Sequence, residues 1–442
     1  MAFEQQHTKI LGAGSSKELK QEGRMRMDER EVINMGVGFV TGRKNFRKVL
    51  KTYMYRWRQM KTVIGDRVKL HLFVAYDLEY NNTQVEEYLN IRPDVLKIID
   101  SVHFISRSMI QHEIYLLEQE GVADEKDAAA VFAKGYAGNR NAIVYYALKR
   151  KMDYLIFLDD DEYPVAITKT RELLVWSGQA IFSEHLKYLK DADVTTGLHC
   201  GYVSPIPHIA FDDTLTESDF RLFIEALSND ILGWNSVKRI MSDGGVTYAD
   251  PKVFVENRAE EVQETGGAKF ISGSNLGINL TRPERVKPFF NPPNARGEDT
   301  FLSVCLRGHR VVKVPCYTFH DVFSVYDTLL DGVLPLELER VEADSKKVVQ
   351  RFYKACVGWV RYKPLYLYIT RREEFDGESA LIRDKLSASA PKLCRYFDLP
   401  DFKNILTEFD KYRRLVPQHY QLFLNNQRVW ERVGSYAAQR PY

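Results

Sequence analysis

The chain has 442 residues, 45% hydrophobic and 28% charged, which is the composition of an ordinary folded protein with room for two or three domains. Lys and Arg number 62 against 60 Asp and Glu, so the net charge of +2 excludes a protein that coats a polyanion over its whole surface. The charge is uneven: 341–442 holds 19 Lys/Arg and 12 Asp/Glu, a net of +7, while the remainder holds 43 and 48, a net of −5. That basic region also carries 17 aromatics in 102 residues, above the chain average of 12%. Cys200, Cys305, Cys316, Cys356 and Cys394 contain no CxxC pair and read as reduced thiols of a cytoplasmic protein.

Met1–Glu31 is polar, lacks an apolar signal-type core and reads as a loose leader over 1–30. The stretch Val194–Phe211 lacks Asp, Glu, Lys and Arg, but Pro205, Pro207, His199 and His208 disqualify it as a spanning helix. Peripheral attachment to a membrane stays open. The first predicted strand is Val32–Thr41, followed by a basic amphipathic helix over Lys44–Met60 with Phe46, Val49, Leu50, Tyr53 and Trp57 at helical spacing. Lys69–Tyr76 is the second strand, Thr83–Asn90 a short helix and Val102–Ile105 the third strand. Ala123–Lys134 and Asn141–Lys151 are predicted helices, and Tyr154–Leu158 is a compact apolar strand. This alternation predicts an α/β fold with a mainly parallel, Rossmann-like sheet flanked by helices, whose ligands lie at the carboxyl ends of the strands. Further on, Glu184–Lys190, Glu217–Ile240 and Asp299–Arg307 suit helices. Val194–Val203 and Lys269–Leu280 suit extended chain, and Arg310–Pro315 a strand leading to His320. From Ser345 the chain is mostly helical, with expected breaks at Pro364, Gly377, Pro391 and Pro400.

Four motifs could carry chemistry. In YLIFLDDDEYP, Tyr154–Pro164, a buried strand runs into three adjacent carboxylates, and strand alternation would send Asp159 and Asp161 to one side and Asp160 to the other. Such crowding is costly unless a cation compensates, and a divalent ion shared with substrate phosphates would do so. A solvated turn with a helix cap is the plainer alternative. GYAGNRNA, Gly135–Ala142, combines close backbone approach with Arg140 as a phosphate partner, or is simply a helix start. RGEDT, Arg296–Thr300, sets Glu298 and Asp299 at a helix N-terminus, as a base or as a response to the helix dipole. YTFHD, Tyr317–Asp321, offers His320 as a metal ligand or a structural donor.

The order and spacing of these pieces over Val32–Val322 resemble the GT-A nucleotide-sugar glycosyltransferases, most closely glycosyltransferase family 2. VGFVTGRKNFRKVL corresponds to the first strand and helix, FVAYD to the second strand, GNRNAIVYYALKRKMDYLIFLDDDEYP to the approach to the DXD motif, and RGEDTFLSVCLRGHRVVKVP to the late acidic motif. Val40-Thr41-Gly42-Arg43 stands where Pro-Thr-Tyr-Asn is common.

The resemblance implies a GT-A catalytic domain over 31–340, with a nucleotide-sugar half at about 31–165 and an acceptor half at about 166–340. A helical, basic and aromatic-rich region follows over 341–442. It further implies a metal-dependent, inverting hexosyltransferase that moves a sugar from a UDP- or GDP-sugar to a carbohydrate or other hydroxyl acceptor. Thr41, Asp77, Arg140, Asp159 and Asp160 would lie along the nucleotide-sugar, and Gly273, Ser274 and Asn275 beneath the donor sugar and acceptor. Asp161, Asp159 and His320 would hold Mn²⁺ or Mg²⁺, and Asp299, with Glu298 beside it, would be the catalytic base. The alternatives are a sugar-nucleotide nucleotidyltransferase, against which the absence of a GxGxR loop counts (Gly36-x-Gly38 is too short a match), and a non-catalytic nucleotide-sugar-binding protein of the same fold. The basic C-terminal region could dock an acceptor or a peripheral anionic surface through cations such as Arg351, Lys354, Arg371 and Arg372 among Trp359, Tyr362 and Tyr366.

Overall fold

The computed structural model describes residues 32–65, 67–171, 173–228 and 233–440. The expected leader over 1–30 lies outside them. Strand β1 (Ile33–Thr41) leads into α1 (Phe46–Ile64), whose apolar face buries Phe46, Val49, Leu50, Tyr53 and Trp57 as the spacing predicts. Then come β2 (Val68–Tyr76), the single turns α2 (Glu86–Leu89) and α3 (Pro93–Leu96), and β3 (Ser101–Ile105). The helix α4 (Arg107–Gln119), which the sequence reading does not include, starts where the Ser106 hydroxyl accepts from the Met109 amide at 3.3 Å. After α5 (Glu125–Val131), α6 (Tyr136–Lys149) crosses the sheet and β4 (Tyr154–Leu158) follows.

The helix α6 begins five residues earlier than expected, so the glycine motif supplies its N-cap, Gly135, and its first two turns rather than preceding it. Gly135 turns the chain at φ +104°, and a Cβ on Gly138 would sit 1.8 Å from the Ala133 carbonyl oxygen, so only glycine fits there.

Beyond β4 lie β5 (Glu162–Tyr163), the hairpin β6 (Val165–Lys169) and β7 (Leu174–Gly178), α7 (Ile181–Leu189) and β8 (Val194–Tyr202). The predicted helix Glu217–Ile240 is two helices, α8 (Glu217–Leu227) and α9 (Trp234–Ser242), because Ser228 is already extended. Next are α10 (Pro251–Glu256), β9 (Glu260–Glu261), β10 (Leu276–Asn279), α11 (Glu298–Cys305) and β11 (Val311–Asp321). Of the expected extended stretch Lys269–Leu280 only Leu276–Asn279 forms a strand, since Asn275 takes φ +49° and interrupts it. Strand β11 runs through Pro315 by shifting register between Lys313 and Tyr317, where the missing N–H is absorbed.

Among the described residues nine strands form one sheet in the order β3-β2-β1-β4-β10-β8-β11-β5, with β9 on β11. The first four strands are all parallel, as expected of crossover helices; β10 then enters antiparallel and makes the second half mixed. Register aligns the strand ends that matter, pairing Thr41 with Tyr76 and Phe39 with Leu158.

The C-terminal region is helical: α12 (Lys346–Thr370), α13 (Phe375–Tyr396), α14 (Asn404–Arg414) and α15 (Val416–Gln439). Pro364, Gly377 and Pro391 do not break helices as expected; Pro364 and Pro391 lie within α12 and α13, where burial along both helices outweighs a lost backbone bond, and Gly377, in the first turn of α13, forfeits none. The region packs into the rest of the molecule through three cores. Phe352, Cys356 and Val360 of α12 meet Phe220 and Phe223 of α8. Tyr362 and Tyr366 meet Phe290 and Phe301. Val429, Trp430 and Val433 of α15 join the core that holds Leu155 and Phe157 of the sheet. Among the described residues no helix is long and apolar enough to cross a membrane.

This sharing of cores predicts that a chain ending at Asp344 yields no soluble folded protein. Trp430, 2% exposed and donating to the Val286 carbonyl at 2.9 Å, should cost about 3–5 kcal/mol on replacement by Ala, measured by urea unfolding. A soluble, cooperatively unfolding truncation would contradict this reading.

Candidate active site

The acidic motif does not continue the alternation of a strand. Strand β4 ends at Leu158, and Asp159–Asp161 form a turn before β5. Each carboxylate finds its own cation or donor. Asp159 accepts from Arg140 at 3.0 Å. Asp160 accepts from the Thr41 hydroxyl at 2.5 Å and lies 3.5 Å from Arg43. Asp161 pairs with Arg43 at 2.5 Å and with His320 Nε2 at 3.3 Å. Asp160 and Asp161 thus share one guanidinium, and it is Asp159 that turns elsewhere.

The chain delivers these partners through its topology. Thr41 and Arg43 follow the end of β1, Arg140 comes from the first turns of α6, and β11 pairs His320 with Glu162 of β5. Burial raises the Asp159 carboxyl to about 7 and the Asp160 carboxyl to about 6, against the pull of Arg140 and Arg43 respectively. Burial works against the charge of Asp161 too, yet His320 and Arg43 hold it far below the ordinary carboxylate range. Burial likewise opposes charging His320, and Asp161 outweighs it, raising the imidazole to about 9.

Arg140 is 2% exposed and lies between Phe157 and Phe289, with ring centroids at 5.2 and 5.5 Å; its Nε and Nη1 have no hydrogen-bond partner. A guanidinium so buried depends on Asp159 for its charge balance. Glu162, which the sequence reading passes over, is also 2% exposed. It accepts from Ser274 at 2.6 Å and Thr318 at 2.7 Å, and lies 3.3 Å from His199 Nδ1. Burial opposes its charge, but His199 leads the groups that hold it down to about 2.

Two adjoining cavities open over these residues. One, of about 540 Å³, is lined by Arg43, Arg140, Asp159–Asp161, Glu298, Asp299 and His320. The other, of about 570 Å³, is lined by Thr41, Asp77, Gly135–Asn139 and Asn294–Arg296. Val40, Tyr80, Tyr136 and Arg296 belong to both. Asp77 accepts from the Glu79 amide at 2.9 Å, which holds its turn at the rim of the second cavity. Asp299 stands in the first turn of α11, after Gly297 at φ +109°, and accepts from the Thr300 amide at 2.8 Å. Burial and then Glu298 raise its carboxyl to about 6.

The predicted sugar-proximal trio is not assembled on these cavities. Ser274 binds Glu162, and Asn275 is fully buried, bonded to His185, Leu198 and Cys316. Gly273 lies beneath the Arg140 guanidinium, 3.3 Å from where a Cβ would stand.

Three contributors go beyond the motif reading. Arg43 was legible only as a basic residue two places past a strand end. Glu162 was hidden as the fourth acid of a run. From the basic region, Arg351, Lys354, Trp359 and Tyr362 of α12 line the first cavity, whereas Arg371 and Arg372 do not. Arg372 instead stacks on Tyr368 and Tyr420 at 4.7 and 5.7 Å.

As a metal centre the site is partial. Asp161 and His320 converge, Asp159 faces Arg140, and among the described residues no group of three His, Cys, Asp or Glu side chains is spaced to hold an ion by itself. An ion would have to replace the His320 proton and the Arg43 guanidinium at Asp161; the carboxylate and neutral imidazole so freed would suit a hard divalent ion that keeps water and substrate phosphate as its other ligands.

No protein-family profile matches the chain, and no curated protein does. Among solved structures, a mannosyltransferase from Pyrobaculum calidifontis in complex with GDP-Man and Mn²⁺ is similar over 87% of this chain and 86% of that one, with a TM-score of 0.37 and 11% identity.

Replacing Glu162 by Ala leaves the Ser274 and Thr318 hydroxyls without their buried acceptor and should lower stability by about 1–3 kcal/mol in urea unfolding. An unchanged midpoint would show that the residue is not structural.

Proposed function

We propose that the chain is a metal-assisted glycosyltransferase that moves a sugar from a nucleoside diphosphate to an acceptor hydroxyl. The observation that carries this reading is the acidic turn at the carboxyl end of parallel strands, compensated by Arg43, Arg140 and His320 and sharing a cavity with Asp299. The cavity beside Thr41, Asp77, Tyr80 and Tyr136 takes the nucleoside, and Arg43 and Arg140 lie where the diphosphate would run. When bound, Mn²⁺ or Mg²⁺, held by Asp161 and His320 with Asp159 nearby, supplies positive charge to the departing diphosphate.

The remaining chemistry belongs to side chains. Asp299 accepts the proton of the acceptor hydroxyl as its oxygen bonds to the anomeric carbon. The bond from that carbon to the diphosphate oxygen breaks, and the nucleoside diphosphate leaves with the electron pair. A single displacement of this kind inverts the anomeric centre, and burial, then Glu298, keep the Asp299 carboxyl basic. In this reading 31–340 is the catalytic module, 341–442 is its appended helical wall, and five free thiols suit a cytoplasmic protein.

A nucleotidyltransferase would attack at phosphorus and needs a glycine-rich phosphate loop. Gly36 and Gly38 instead lie within β1, against Leu155 and Phe73 and against Ile143 and Phe157, as packing positions.

Asp161→Asn should abolish Mn²⁺-dependent binding of the nucleoside diphosphate in calorimetry without loss of fold; unchanged metal-dependent affinity would remove Asp161 from the site. Asp299→Asn should lower turnover about 10²-fold or more with donor affinity retained. Because the base acts only when ionised, kcat/KM should rise with pH through about 6 and then level off. A profile flat between pH 5 and 8 would remove Asp299 from that role.

A further inference from the structure

The helix α12 presents one face to the first cavity, with Arg351, Lys354, Ala355, Gly358, Trp359 and Tyr362 at helical spacing. The face is graded. Its N-terminal end is cationic and its C-terminal end aromatic. The aromatic end meets the loop that carries Asp299: a Cβ on Gly297 would stand 2.9 Å from the Tyr362 ring, and one on Gly358 would stand 3.5 Å from the Arg296 side chain. Arg361 fastens the same loop by donating to the Asn294 carbonyl at 2.9 Å.

The cations on this wall form no direct ion pair, although Asp161 attracts Arg351 across the cavity. Among the described residues neither Arg351, Lys354 nor Arg296 has a carboxylate within ion-pair reach, and the buried Arg351 Nε has no hydrogen-bond partner. The Arg351 side chain lies over Phe323 at 5.9 Å, and its guanidinium is pushed below its ordinary range by burial and then by Arg43. Arg43, in contrast, is already engaged by Asp160 and Asp161.

Arg351 also belongs to a third cavity, of about 460 Å³, that shares Arg43, Tyr80 and Val322 with the first. Its polar lining is Arg43, Lys44, Asn45, Asn81, Ser324 and Arg351, and no carboxylate lines it. In this third cavity Arg43, Lys44 and Arg351 repel one another and an anion would stabilise them, whereas Lys354 lines the first cavity alone, on the wall that faces the carboxylates.

We infer that the acceptor is an anionic sugar, bearing a phosphate or a carboxylate that Arg351 and Lys354 bind while its hydroxyl faces Asp299. The inference rests on the function proposed above. Lys354 and Gly358 are one helical turn apart, about 6 Å along the axis, so the anion and the Asp299 loop are separated by about the span of one sugar ring. Trp359 supplies an aromatic face for that ring.

The test is calorimetry on the full chain saturated with UDP or GDP and Mn²⁺. Inorganic phosphate, glucose 6-phosphate, glucuronate and glucose are titrated in turn. At least one charged sugar should bind about tenfold or more tighter than glucose, and inorganic phosphate should compete with it; glucose 6-phosphate against glucuronate then tells phosphate from carboxylate. In R351Q/K354Q the affinity for the charged sugar should fall about tenfold or more, with the nucleoside diphosphate affinity within about threefold of the parent, and R351K should recover part of the loss.

Glucose binding as tightly as the charged sugars, or no binding of any anion, overturns the inference. So does an equal loss of nucleotide affinity in R351Q/K354Q, because the cations then serve the donor. If none of UDP, GDP, CDP and dTDP binds the parent chain, the proposed function fails instead. The same titrations on nucleotide-free protein then decide the anion site alone: a phosphate preference lost in R351Q/K354Q upholds it, and no preference overturns it.

Discussion

Four carboxylates in succession, Asp159 to Glu162, are set into a largely buried turn, and the rest of the site follows from how that charge is held. Unscreened, neighbouring carboxylates at this burial would protonate. Arg43, Arg140 and His320 prevent this for part of the cluster, and they come from three different elements. The loop after β1, the start of α6 and the end of β11 must therefore converge on the end of β4. The result is a graded set: Asp161 and Glu162 firmly ionised, Asp159 and Asp160 raised toward neutrality.

The helical C-terminal region is part of the same construction. Its helices share cores with α8, with the Phe290–Phe301 cluster and with the sheet. Burial of Phe352, Tyr366 and Trp430 fixes α12 across the cavity, and that fixes the loop bearing Asp299 through Gly297 and Arg361. Stability and the shape of the acceptor side are thus set by one body of apolar contacts.

Much of this is legible in the chain itself. The parallel half of the sheet reads from alternating apolar strands and amphipathic helices, and the acidic turn and the Gly-Glu-Asp helix start stand out by composition. What escapes depends on contacts distant in sequence. The pairing of Arg43 with Asp161 spans 118 positions, and nothing local to Arg43 announces it. The alternation inferred for Asp159–Asp161 fails because the strand ends at Leu158, a limit set by hydrogen bonding with β1 and β10. Pro364 and Pro391 look like breaks but are overridden by packing. Asn275 looks like a site residue, yet its side chain is consumed by His185 and two carbonyls.

The central claim concerns which bond is broken. Phosphorus-31 NMR of the full chain with diamagnetic Mg²⁺ and a panel of UDP-, GDP-, CDP- and dTDP-sugars reads this directly. The account predicts that one donor is consumed, slowly by water and faster with an acceptor, and that the phosphorus product is the nucleoside diphosphate. Release of sugar 1-phosphate with a nucleoside monophosphate or triphosphate would contradict it, because cleavage would then lie at phosphorus rather than at the anomeric carbon.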